Sequence, residues 1–76
     1  MPKWVRFTEM PIPGRKTNVW QVATIDAPVI LGEIKFWPRW RKYAFFPLAN
    51  TLYEKDCLRD IADFCEAETR NWRLKL

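Results

Sequence analysis

The hydrophobic period of this chain changes once, just after Pro47, and that change decides the fold class. Up to that point apolar residues come in short runs broken by proline and glycine. "KWVRFTE" (3–9) alternates, with Val5 and Phe7 on one face and Trp4 and Arg6 on the other. "MPIPGRKTN" (10–18) interrupts the alternation with two prolines and a glycine, which forbid regular structure. "TNVWQVATI" (17–25) is rich in β-formers and ends at a turn, "DAP" (26–28). "VILGEIKFW" (29–37) and "RKYAFFP" (41–47) predict two further strands, joined through Pro38 and the residues after it.

From residue 50 onward the spacing is helical. Leu58, Ile61, Cys65 and Trp72, flanked by Cys57 and Phe64, recur on one face. Thr51 with Glu54 three residues later fits a capping box, with a start two or three residues further on as the alternative. Glu54, Asp56 and Asp60 crowd the first turns and Arg70, Arg73 and Lys75 the last, which suits the helix dipole. A run of strands followed by one amphipathic helix predicts an α+β domain. Its order is β-β-β-β-α or β-β-β-α, with the helix across one face of an antiparallel sheet.

Seventy-six residues form a single domain, spanning 1–76. A chain this short buries only about 60% of its unfolded surface, so its stability margin is thin. Five Trp and five Phe are a large apolar load for it, and a surplus beyond the core hints at a binding face. The net charge is +4, unevenly spread. Residues 1–50 hold eight Lys/Arg against three acids, and residues 51–76 hold five against six. A basic first part of this kind favours polyanionic partners.

The absences exclude more than the composition does. With no His and no Ser, the chain lacks Ser–His and Cys–His nucleophile pairs and imidazole metal ligands. Its two cysteines, Cys57 and Cys65, are eight residues apart on the predicted helix, a rise of about 12 Å that puts a disulfide out of reach. They read as reduced core thiols of an intracellular, cytoplasmic protein, and without His they cannot form a zinc site within one chain. Two glycines, Gly14 and Gly32, make no phosphate-cradling loop. Neither a signal peptide nor a membrane span is expected. The chain therefore reads as a non-enzymatic protein without cofactor or metal.

The informative stretch is "KFWPRWRKYAFFP" (35–47), with four basic and six aromatic residues and no acid. A three-residue loop, Pro38-Arg39-Trp40, sets Trp37 opposite Arg41, Lys35 opposite Tyr43, Glu33 opposite Phe45 and Gly32 opposite Phe46. One face then carries Ile34, Phe36, Ala44 and Phe46 as core, with Gly32 leaving room for Phe46. The other carries Lys35, Trp37, Arg41, Tyr43 and Phe45. A four-residue loop is set aside on the count that it brings Lys35 against Lys42, a like-charge pair.

Rings beside cations bind single-stranded nucleic acid, the rings stacking on bases and the cations meeting phosphates. The candidate contacts are Lys35, Trp37, Arg39, Trp40, Arg41, Lys42 and Tyr43, with Arg15 and Lys16 of the basic turn "PGRKTN" (13–18) if that turn lies beside them. Two bland readings compete: residues 3–9 cover these aromatics, or the face is a homodimer or other protein contact. Asp56, Asp60 and Asp63 share a helix face and suggest a cation or acid site, but with Arg59 among them they read better as the solvated side of the helix.

At "VWQV", "LGEIKFWPRWRKYAFFP" and "CLRDIADF" the chain resembles small uncharacterised proteins of bacteria and their phages. The shared pattern is W-x-V, then L-G-x-I, then W-R-x-Y-x-F-x-P, then C-L-x-x-I-A-D-F, spanning Trp20 to Phe64 here. The resemblance implies a compact accessory protein of phage or prophage origin, and no active residues.

Overall fold

The computed structural model describes residues 4–25 and 29–75. Four strands, β1 (Val5–Met10), β2 (Val19–Thr24), β3 (Ile30–Trp37) and β4 (Lys42–Pro47), precede one helix, α1 (Lys55–Leu74). The strands form one antiparallel sheet in chain order, so the architecture is β-β-β-β-α, an α+β fold. The turn expected at 26–28 lies outside the described residues. No helix among the described residues is long and apolar enough to cross a membrane.

The helix lies diagonally across one sheet face. Its first half meets β1, where the Phe7 and Phe64 rings stack with centroids 4.0 Å apart and the Trp4 backbone N–H donates to Asp60 Oδ2 (3.0 Å). Its second half meets β3 and β4, where Trp72 packs on Phe36 (4.5 Å). Thr69 Oγ1 there accepts the Tyr43 N–H (2.9 Å) and donates to the Cys65 carbonyl (2.8 Å). Val5, Val22, Leu31, Ile34, Tyr43 and Ile61 form the buried centre between sheet and helix. Both cysteines are free, as expected, with Cys57 and Cys65 packed at its margin.

The helix begins where Glu54 caps it, its carboxylate accepting the Cys57 N–H (2.7 Å). The start is thus three residues beyond Thr51, whose hydroxyl bonds instead to the Leu48 carbonyl and the Tyr53 hydroxyl, both at 2.9 Å. Ile61, Phe64, Cys65 and Trp72 face the sheet as predicted. Leu58 does not: it is 50% exposed and lies outside the core cluster.

The β3–β4 register differs by one residue from the expected one. Trp37 pairs with Lys42, Phe36 with Tyr43, Lys35 with Ala44, Ile34 with Phe45, Glu33 with Phe46 and Gly32 with Pro47. The loop therefore has four residues, Pro38 to Arg41. The like-charge pairing counted against that loop does not arise, since Lys35 faces Ala44; a Lys35–Lys42 pair belongs to a two-residue loop. A slip of one flips every side chain of the strand. Tyr43 and Phe45 consequently point into the core, while Ala44 and Phe46 point out of it, the reverse of the expectation. Ile34 and Phe36 face the helix as expected.

Two features lock this arrangement. Gly32 sits against β4 so closely that a Cβ there would collide with the Phe46 carbonyl oxygen and lie 2.9 Å from Pro47 Cα and 3.0 Å from the Phe45 ring. It makes room for backbone rather than for the Phe46 side chain. Between β2 and β3 the register shifts at Val22/Ala23, which pair with Gly32 and Ile30 and leave Leu31 as the extra residue of a bulge. The Leu31 carbonyl is taken by the Leu48 N–H (2.8 Å) and the Tyr53 hydroxyl (2.9 Å), which ties the β4–α1 connection to the sheet.

The ladder also fixes which amides point outward from β4. The Leu48 N–H to Leu31 carbonyl bond makes Gly32–Pro47 a non-hydrogen-bonded pair, so Phe36–Tyr43 and Ile34–Phe45 are too. The outward positions are thus Tyr43, whose N–H goes to Thr69, Phe45, and Pro47, which has no N–H.

Candidate nucleic-acid interface

The sheet face away from the helix is where charge and exposed rings collect. Along β3 and β4 it carries the register pairs Glu33–Phe46, Lys35–Ala44 and Trp37–Lys42. β1 does not lie over it: β1 is an edge strand of the same sheet, and Phe7 faces the helix. The suggestion that residues 3–9 cover the outer aromatics is thereby overturned for the described part of that segment. Val19, in register with Met10 and Lys35, is the buried residue of this open face among those described.

At its β3–β4 end Trp37 is 37% and Trp40 64% exposed. The two rings meet edge to face at 6.2 Å, and Trp37 meets Phe46 in the same manner at 6.0 Å. The Lys35 ammonium sits 4.6 Å from the Phe46 ring centroid and 3.9 Å from Glu33 Oε1. Phe46 thus acts as the floor on which Lys35 and Trp37 rest, a part that the expected register had assigned to the core.

The hairpin tip is held by its own backbone. The Trp40 N–H donates to the Trp37 carbonyl and the Arg41 N–H to the Pro38 carbonyl, each at 3.2 Å. Arg41 closes the loop in the left-handed region, φ 54°. Glycine adopts that conformation at no steric cost, whereas a residue with a Cβ pays about 1 kcal/mol. Arg39, Trp40, Arg41 and Lys42 are all exposed.

Antiparallel order places the 11–18 loop at the same end of the sheet as this tip. Two strand spacings of about 4.8 Å separate the two hairpin axes, and the loop carrying Arg15 and Lys16 leaves the sheet at the same end as the Arg39–Lys42 cluster. The loop is tied across by the Asn18 N–H, which donates to the Tyr43 hydroxyl (3.3 Å). Burial pushes that hydroxyl above its ordinary pKa and the nearby Glu68 carboxylate adds to the push, while the Asn18 bond and the Arg15 charge pull the other way.

Tyr43 is therefore corrected as a stacking residue: its ring is buried under the helix and its hydroxyl is engaged within the fold. Lys35, Trp37 and Lys42 fall on the open face, Arg39, Trp40 and Arg41 at its tip, and Arg15 and Lys16 beside it. Sequence reasoning missed Phe46 on this face. It also missed Arg70 and Arg73, which the diagonal helix brings to the same end of the molecule beside Lys42.

Apart from Lys35, which pairs with Glu33, the cations here are unpaired. Among the described residues, no ion pair within 4.0 Å involves Arg15, Lys16, Arg39, Arg41, Lys42, Arg70 or Arg73. The ion pairs of Lys55 and Arg59, both to Asp56, lie at the far end, in the first turns of the helix. Those contacts, and the Trp4 N–H on Asp60, engage two carboxylates of the acidic helix face singled out in the sequence, and the third, Asp63, is exposed. No group of three or more His, Cys, Asp or Glu is arranged to hold a metal ion among the described residues.

No protein-family model matches this chain, and no solved structure does either. Over 62 residues it is 31% identical to an uncharacterized 9.3 kDa protein of Acholeplasma phage L2, an alignment that covers 82% of this chain and 80% of that one. The chain belongs to the family of that phage protein.

Proposed function

We propose that this is a small non-enzymatic accessory protein of phage type that binds nucleic acid through the open sheet face and the hairpin tip. Trp37 and Trp40 supply stacking surfaces, and Lys35, Arg39, Arg41 and Lys42 meet phosphates, with Arg15 and Lys16 alongside. The observation that carries this reading is the pairing of two exposed tryptophans with Arg39, Arg41 and Lys42, which no carboxylate neutralises. Like charges gathered at one end of the molecule repel one another, and a bound polyanion relieves that repulsion. Arg41 adds to it, since the loop holds a charged side chain where glycine would relieve the backbone. The absence of His and Ser supports a binding role rather than catalysis, as do thiols that burial pushes upward.

The test is fluorescence anisotropy with a labelled single strand of about ten nucleotides, in low salt and across a salt series. Trp40→Ala is expected to cost about 1–3 kcal/mol of binding. Arg41→Gly is expected to weaken binding and flatten the salt slope by about 0.7 while raising stability by about 0.5–1 kcal/mol. No micromolar binding of single or double strands at low salt would sink the proposal.

A protein-interaction role draws support from a different place. Val29, Ile30, Leu48 and Leu52 are exposed at the end of the sheet opposite the hairpin tip, Leu52 at 91%. Sedimentation equilibrium of the pure protein decides whether that apolar end joins copies. A salt-insensitive dimer lost on Leu52→Asp would favour this reading.

A further inference from the structure

The two arginines in the last turns of the helix lie outside the hairpin interface, yet they open onto it. Arg70 and Arg73 are three residues apart and so share one side of α1. With Lys42 they line a cleft of about 510 Å³ between β4 and the helix. Tyr43 and Thr69 also line it, and their backbone and hydroxyl groups are already joined to each other and to the Cys65 carbonyl. Apart from the Cys65 thiol, a weak donor, a ligand entering the cleft therefore meets cations rather than free neutral donors. Glu66 is the one acid among the described lining residues, against three cations, none of them ion-paired.

Lys42 joins the two regions. It is the first residue of β4, in register with Trp37 on the open face, and it also lines the cleft. A continuous basic track thus runs from Trp37 and Trp40, past Lys42, to Arg70 and Arg73. Guanidinium groups grip phosphate oxygens in a bidentate manner, and two of them on one helix side suit consecutive phosphates better than base edges.

We propose that this cleft takes the sugar-phosphate backbone of a single strand whose bases stack at the hairpin. The proposal rests on the nucleic-acid reading above and extends the footprint around the β4 edge. It also gives Glu66 a role, as the carboxylate that limits how tightly the backbone is held.

The test compares single strands of about four and about twelve nucleotides, each in a salt series, for the wild type, Arg70→Gln/Arg73→Gln and Glu66→Gln. The arginines are exposed, so the double variant should keep the wild-type circular dichroism spectrum. It is expected to bind the short strand as the wild type does, and to lose affinity for the long strand with a salt slope flatter by about 1.4. Glu66→Gln is expected to bind the long strand more tightly. Wild-type affinity and slope of the double variant on the long strand would overturn the cleft and leave the hairpin reading standing. Equal loss on both lengths would overturn it as well, by showing only a general effect of charge. If the wild type binds neither strand, the hairpin reading falls and the cleft with it.

Discussion

Gly32 shows how much a single position can constrain this fold. Its hydrogen faces the β4 backbone, and any side chain there meets that backbone, which cannot swing aside. Gly32→Ala is expected to destabilise the protein by about 2 kcal/mol or more, read as a lower urea midpoint with little change in slope. Gly14, where a Cβ would meet nothing within 4 Å, is the control for glycine replacement in open space, although its φ of 80° still charges a conformational cost. The need for glycine at 32 was legible from the chain, but not its reason. Sequence reasoning assigned the room to the Phe46 side chain, whereas the Phe46 carbonyl fills it.

Among the elements, the helix was the most readable and the hairpin the least. Ile61, Phe64, Cys65 and Trp72 could be placed because a 3.6-residue period survives small errors in the start. Thr69 belongs to the same row, four residues after Cys65 and three before Trp72, and its spacing was the signal that would have found it. It was passed over because it is polar. Thr69→Val removes the acceptor of the Tyr43 N–H in a buried setting and is expected to cost about 1–3 kcal/mol, while Thr69→Ser keeps the bond and costs much less. Chemical denaturation of the two variants separates the hydrogen bond from the packing. The hairpin failed for a different reason. "YAFFP" offers an apolar face in either register, so alternation could not choose. The deciding feature, a left-handed residue closing a four-residue loop, is carried by an arginine instead of the glycine or asparagine that announces such a turn.

For the molecule as a whole, the consequence of the fold is polarity. Ion-paired Asp56 and capping Glu54 gather at one end, and unpaired cations at the other. The sequence showed a basic first part and a near-neutral tail, yet the diagonal helix carries Arg70 and Arg73 from that tail to the basic end. Nothing in the order of residues announces this. Burial also couples the whole fold to alkaline pH. It pushes the Cys65 thiol up to about 11 from an ordinary 9.0, and raises Cys57 and Tyr43 in the same direction. An acid whose folded pKa lies above its unfolded one stabilises the protein fully below the unfolded value, and that contribution is lost as pH rises. The urea midpoint is therefore expected to fall between pH 9.0 and about 11, and Cys65→Ala to fall less steeply over that window.

The outer side of β4 has one more consequence. A sheet lengthens sideways by handing its spare amides to a newcomer. Here one amide is kept by Thr69 and another was never made, because Pro47 stands in its place, so Phe45 alone has one to give. Crowded copies of the protein find a flank short of donors, which weakens any seam along which they could zip into fibres. The hairpin can display Trp37, at the end of β3, and Trp40, in its loop, while its outer strand offers little for its own kind to pair with.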